Sequence, residues 1–187
     1  MKKKILVLSL LCSSYLFGGD IVYSDVVKSL YETPKGEKVV GRLLPTAPVE
    51  ILNKEGDFLQ VKIKGYVQNG KEQALYFTKG KRILNAAFRK NSNVRREMIK
   101  DDKEWAEVSV ITYVKNENFH KDLESMMQRA NELFTANCST CHQLHGINEY
   151  NANQWPSVFK SMVDRTAIDK KDRFLVTQFL QKTTKKD

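Results

Sequence analysis

Two cysteines stand three apart in "ANCSTCHQLHG", residues 136–146, and a histidine follows the second at once. At that spacing Cys138 and Cys141 can hold a metal, cycle as a disulfide, or carry a cofactor covalently. The run Cys138-Ser-Thr-Cys141-His142 is the one expected for attachment of a c-type haem. Two thiols so spaced at the end of a helix can reach two vinyl groups along one edge of a porphyrin. His142 then falls beneath the iron as its proximal ligand. The rivals ask for more than the chain offers. A thioredoxin-like site wants a βαβ context, and this pair follows a helical pattern. Structural zinc wants four ligands, and beyond the thiols only His120, His142 and His145 are present. A plain disulfide between Cys138 and Cys141 is the bland alternative.

The ligand on the other face of the iron is a separate question. A thioether sulfur raises a haem's potential relative to a second histidine. Met98, Met126 and Met127 precede the motif, and the pair fall on the helix leading into it. Met162 comes 20 residues after His142, on a helix expected to begin at Trp155, and is the candidate sixth ligand. A methionine that merely fills core space is the alternative reading of Met162. Trp155 is expected to pack beside the cofactor. His145 is too near His142 to cross to the far face, and is expected at the surface or the propionate side.

Helices must position these groups. Leu123, Met126 or Met127, Ala130 and Leu133/Phe134 recur at helical spacing up to the motif. "QWPSVFKSMVDRT" makes a second stripe from Trp155, Val158/Phe159 and Met162/Val163, with Pro156 tolerated in the first turn. Asp169 resembles a cap before a third stripe of Phe174, Leu175, Phe179 and Leu180. Three helices in so short a stretch make a thin core, which a large apolar cofactor would fill. Residues 20–118 read differently. Val49/Ile51 and Leu59/Val61/Ile63 alternate around a turn at Asn53–Asp57; Ala74–Leu84 reads as strand, turn and strand, and Trp105–Val114 as a further extended stretch.

Lys2–Lys4 followed by "ILVLSLLCSSYLF" and "GGD" has the pattern of a secretory signal over residues 1–19, with Cys12 inside its apolar run. Covalent haem attachment of this kind takes place outside the bacterial cytoplasm, so the two expectations agree on a periplasmic protein. Membrane contact is expected only if that segment stays uncleaved. The segment holds three of the 31 Lys and Arg and none of the 22 Asp and Glu, so the rest of the 187-residue chain is about +6. The charge is well mixed, without the concentrated basic stripe of a nucleic-acid binder. No nucleic-acid partner is expected.

Residues 119–187 resemble the class I-type monohaem domain at the C-terminal end of the pentahaem cytochromes that feed periplasmic trimethylamine N-oxide reductases. The resemblance rests on "ELFTANCSTCH", "NQWPSVFKSM" and a closing helix with two "FL" pairs. Relatives often carry Trp where this chain has Met127. "GRLLPTAPVEILNKEGDFLQVKIKG" is similar to the SH3-like region that accompanies such domains. The expected fold class is therefore a small mostly-β SH3-like domain followed by an all-α class I-type cytochrome c domain. The family's tetrahaem module is not in this sequence, so the resemblance implies a stand-alone monohaem subunit.

It further implies one covalent haem c, with His142 and Met162 on its iron. The donor would be a membrane-bound cytochrome or quinol dehydrogenase. The acceptor would be a periplasmic molybdenum-containing N-oxide or S-oxide reductase. Ligands on both faces leave no open position for substrate, so an electron carrier is expected rather than an enzyme, with the β region a docking or spacing module. The competing reading is a haem sensor or ligand-binding protein with a vacant or labile sixth position. A peroxidase-type protein would want a distal acid-base residue, and the segment around Met162 offers no histidine for it.

Overall fold

The computed structural model describes residues 19–186, so the signal assigned to residues 1–19 lies, but for its last residue, outside the described part. Ten strands and three helices follow one another along the chain. The strands are β1 (Ile21–Ser24), β2 (Lys28–Tyr31), β3 (Val39–Leu43), β4 (Val49–Glu55), β5 (Phe58–Gln68), β6 (Ala74–Tyr76), β7 (Leu84–Phe88), β8 (Arg95–Asp101), β9 (Trp105–Lys115) and β10 (Phe119–His120). The helices are α1 (Leu123–Cys138), α2 (Trp155–Val163) and α3 (Arg173–Thr183).

Six strands close on themselves. β5 pairs antiparallel with β9 along its whole length, from Phe58↔Lys115 to Gln68↔Trp105. The circuit returns through β2, β3, β7 and β6 to β5 at Tyr66↔Tyr76. β4, β1 and β10 extend from the other edge of β5, and β8 lines the outer edge of β9. The alternation read from the sequence supplies the lining: Leu59, Val61, Ile63 and Val67 of β5 face Ala106, Val108, Val110 and Val114 of β9 in one buried cluster. Closure demands close backbone approach at two glycines. A Cβ at Gly41 would lie 2.5 Å from the Ala87 carbonyl oxygen, and one at Gly65 would lie 2.5 Å from that of Tyr76.

The expected fold class needs correction. The chain is mostly β, with a closed six-strand barrel and three short helices; it is not a small SH3-like domain followed by an all-α class I-type cytochrome c domain. The stripes seen in the sequence do form helices, but these do not make a free-standing layer. Gln178 and Gln181 of α3 are buried against the barrel, where their side-chain amides donate to the carbonyls of Leu84 and Arg82. Strand content was also under-read. β8 is "RREMIKD", five charged residues in seven, and it presents no apolar alternation because it lies exposed at a sheet edge.

The helical stripes are close to those expected. Met126, Ala130, Phe134 and Cys138 are the buried face of α1; Trp155, Phe159 and Val163 are that of α2. Asp122 opens α1, its side chain accepting from the Ser125 N–H at 3.1 Å. Asp172, not Asp169, stands at the start of α3, and Phe174 points out, 40% exposed. Asp172 is buried because Arg129 of α1 donates to it at 2.7 Å, tying the first helix to the third.

Candidate haem-attachment site

The thiols are placed by the end of α1. Cys138 is the last buried position of that helix, one turn beyond Phe134. The helix then stops within two residues. Ser139 Oγ donates to the Thr135 carbonyl at 2.7 Å and Thr140 Oγ1 to that of Asn137 at 2.9 Å, so the two residues between the cysteines satisfy carbonyls of the last turn. Cys141 and His142 emerge exposed. One thiol therefore faces the helical core and the other faces solvent, and neither is in a disulfide.

His142 is oriented by its own chain. Its Nδ1–H donates to the Gln143 carbonyl oxygen at 2.7 Å. A carbonyl only accepts, so Nδ1 carries a proton, and in the neutral ring the lone pair is then on Nε2, the atom that would ligate a metal. The ring lies 5.0 Å from that of His145, the first of a series of edge-to-face contacts. His145 meets Tyr150 at 5.4 Å, Tyr150 meets Trp155 at 5.1 Å, and Trp155 meets Phe134 at 5.9 Å. The His145 Nδ1–H donates to the Glu149 carboxylate at 2.9 Å, and this bond holds the Glu149 carboxyl below its usual range.

Of the five residues singled out in the sequence, Cys138, Cys141 and His142 sit together by chain continuity. Trp155 is fully buried, its Nε1–H donating to the Ile147 carbonyl at 3.0 Å, and it joins the motif through Tyr150 and His145. Met162 is two turns further along α2, half-buried beside the core-facing Phe159 and Val163. Of the other candidates, Met126 is buried in the helical core, Met98 is exposed in β8, and His120 lies in β10 near Asp25. His145, expected at the surface or the propionate side, is partly exposed and packs between His142 and Tyr150. Sequence reasoning missed Tyr150, which links His145 to Trp155. Its place in an Asn-rich loop, without periodicity, hid it.

The donor set fits a covalently held haem. Two unpaired thiols three apart, one on the core side and one on the solvent side, are followed by an imidazole with a free Nε2. A redox Cys-x-x-Cys works through a lowered thiol pKa; burial, and then the nearby Cys141, push the Cys138 thiol up. Among the described residues no three His, Cys, Asp or Glu side chains form a group suited to a metal ion, as structural zinc would require.

A sequence model of the TorC third cytochrome c domain matches residues 18–119. The chain belongs to that family. The matched stretch is the β region, which contains no cysteine. Individual relatives reach further. The cytochrome c-type protein TorY of Haemophilus influenzae is 33% identical over 174 residues, covering 90% of this chain and 46% of its own length. The cytochrome c-type protein TorC of Escherichia coli K12 is 27% identical over 170 residues, covering 87% of this chain and 44% of its own. Such coverage leaves too few residues outside it for the alignment to stop short of Cys138–His142. The chain spans less than half the length of these relatives. No solved structure matches it significantly. A cytochrome c family is one of covalently bound haem c and electron transport.

Proposed function

We propose that this chain is an exported single-electron carrier with one haem, held by Cys138 and Cys141 and ligated by His142 and Met162. The observation that carries the reading is the thiol pair at the end of α1 with His142 beside it, its Nε2 left free. When bound, the haem supplies Fe(III)/Fe(II) cycling, and the protein supplies attachment, orientation and electrostatics. Cys138 anchors from the core side and Cys141 from the solvent side. Trp155, Tyr150 and His145 form an aromatic wall behind the ligating imidazole. The exposed Cys141–His142 segment is the side by which a redox partner approaches. Residues 20–118 and 119–187 are the two working units, and the polar contacts of α3 join them.

The donor is a membrane-bound quinol-oxidising cytochrome, and the acceptor is a periplasmic molybdenum-containing N-oxide or S-oxide reductase. What supports this pairing is the resemblance to cytochromes of the trimethylamine N-oxide system together with the TorC and TorY relatives. The signal-like residues 1–19 support export.

The test is the absorption spectrum of the purified holoprotein, oxidised and reduced, beside Met162→Ala. A low-spin six-coordinate haem that becomes high-spin in Met162→Ala supports the carrier. A wild-type haem that is high-spin, or binds carbon monoxide when reduced, means an open sixth position, and the sensor reading replaces it.

A further inference from the structure

Three segments meet at one buried amide. Gln181 of α3 is 4% exposed. Its Nε2 donates to the Ala152 carbonyl at 2.8 Å and to the Arg82 carbonyl at 3.3 Å, which uses both of its N–H groups. Arg82 lies in the turn between β6 and β7, and its own backbone N–H donates to Asn153 Oδ1 at 2.6 Å. The turn of the barrel is thus bonded through both backbone groups of Arg82. One bond runs directly to the loop before α2, and the other reaches the same loop through Gln181.

That loop is the start of α2. Asn151 Oδ1 accepts from the N–H groups of Asn153 and Gln154, and the Asn151 carbonyl accepts from Gln154 and Trp155. Whatever fixes residues 151–153 fixes the first turn of α2, and with it the direction in which Trp155 and Met162 leave. Gln178, one turn earlier on α3, supplies a contrast. It is equally buried and donates to the Leu84 carbonyl at 3.1 Å, but no hydrogen bond joins it to the loop.

We propose that Gln181 is a positioning residue: with Arg82 and Asn153 it ties α2 to the β barrel, so that the barrel sets the geometry of the haem's surroundings. The proposal rests on the haem reading above. The β unit then acts as a mould for the redox site, beyond docking or spacing. The bond from Gln181 to Ala152 is buried, and an acceptor stripped of its donor there keeps the whole desolvation cost.

The experiment uses the full chain with three variants. Gln181→Met removes both donors at nearly constant volume, Asn153→Ala cuts the Arg82 N–H bond from an exposed position, and Gln178→Met is the control. Hydrogen exchange over residues 151–158 is measured in each, and the reduction potential of the holoprotein is measured beside it. Gln181→Met is expected to speed exchange there by about tenfold, the equivalent of losing one buried hydrogen bond, and to shift the potential. Asn153→Ala follows in the same direction by less, and Gln178→Met leaves both unchanged. Equal effects from Gln181→Met and Gln178→Met, unchanged exchange, or faster exchange with an unmoved potential each overturn the proposal. If Gln181→Met does not fold, Asn153→Ala against Gln178→Met decides. Should the purified chain carry no covalent haem, the haem reading fails, and the exchange measurement still decides whether the knot holds α2.

Discussion

The β barrel and the helices solve the problem of stability in opposite ways. The barrel closes its own ladder, lines it with alternating aliphatics, and contains no cysteine. The helices carry the thiols and the imidazole over a smaller core in which Trp155 is the largest fully buried side chain. They borrow support through polar groups turned toward the barrel. Lys182 donates to Thr46 Oγ1 at 2.9 Å and to its carbonyl at 3.0 Å, and Gln178 and Gln181 reach the strand-flanking carbonyls. The family model matches the β unit, residues 18–119, while the thiols and His142 lie in the other. A scaffold can thus be the recognisable part of a cytochrome and the helical part its dependent.

The largest expected effect separates the two units outright. Replacing Cys138 and Cys141 together by Ser is expected to abolish covalent haem, read as loss of the haem mass increment after denaturation. The β-sheet signal in circular dichroism is expected to stay. A sheet that melts with the thiols gone would break the comparison, since the barrel would then depend on the cofactor.

Trp155→Ala comes next. It removes a fully buried ring packed between Phe134 and Tyr150 and leaves the Ile147 carbonyl without its donor. The cost is expected to be about 3–5 kcal/mol by denaturant unfolding. Ile63→Val in the barrel removes one methylene from a fully buried site and is expected to cost about 0.5–1.5 kcal/mol. The two tryptophans, Trp105 in β9 and Trp155 in α2, report the two units separately. If the α3 seam welds them, Ile63→Val lowers the midpoint seen by both rings in the haem-free chain. A shift confined to Trp105 would show two independent folding units.

How much of this was written in the sequence depends on how each group earns its place. The run Cys138–His142 stood out as a candidate through its spacing alone, and α1 was legible because Met126, Ala130, Phe134 and Cys138 keep one helical face. β5 was legible through Leu59, Val61 and Ile63. Ring closure was not: Ala74–Leu84 was read as extended, but β2, β3, β6 and β7 are three to five residues long, too short to show which strands they pair with. Nor was the role of α3. Gln178 and Gln181 lie outside the apolar stripe of that helix, and the barrel carbonyls of Leu84 and Arg82 against them are set by the tertiary fold. Phe174, read as core, is out at the surface with the Arg42 guanidinium 5.6 Å from its ring. Local pattern tells which face of a helix is apolar, but not which polar residues meet a partner.

The same seam can be probed by pH. Desolvation pushes the Lys182 ammonium down from 10.5 to about 7, while the two Thr46 oxygens and the Phe77 face 4.4 Å away act the other way by favouring the charged form. Between those two values the unfolded chain binds a proton that the folded chain lacks. The Lys182 contribution to stability therefore rises as pH climbs from about 7 toward 10.5, falls as pH drops back to about 7, and is flat below that. Lys182→Met removes the group, so denaturant midpoints measured across that window should climb more steeply for the wild type than for the variant. Parallel profiles would mean that Thr46 and Phe77 keep the ammonium charged in the fold. Lys182 would then make an ordinary charged hydrogen bond, acting beside those of Gln178, Gln181 and Asn153 in holding the helices to the barrel.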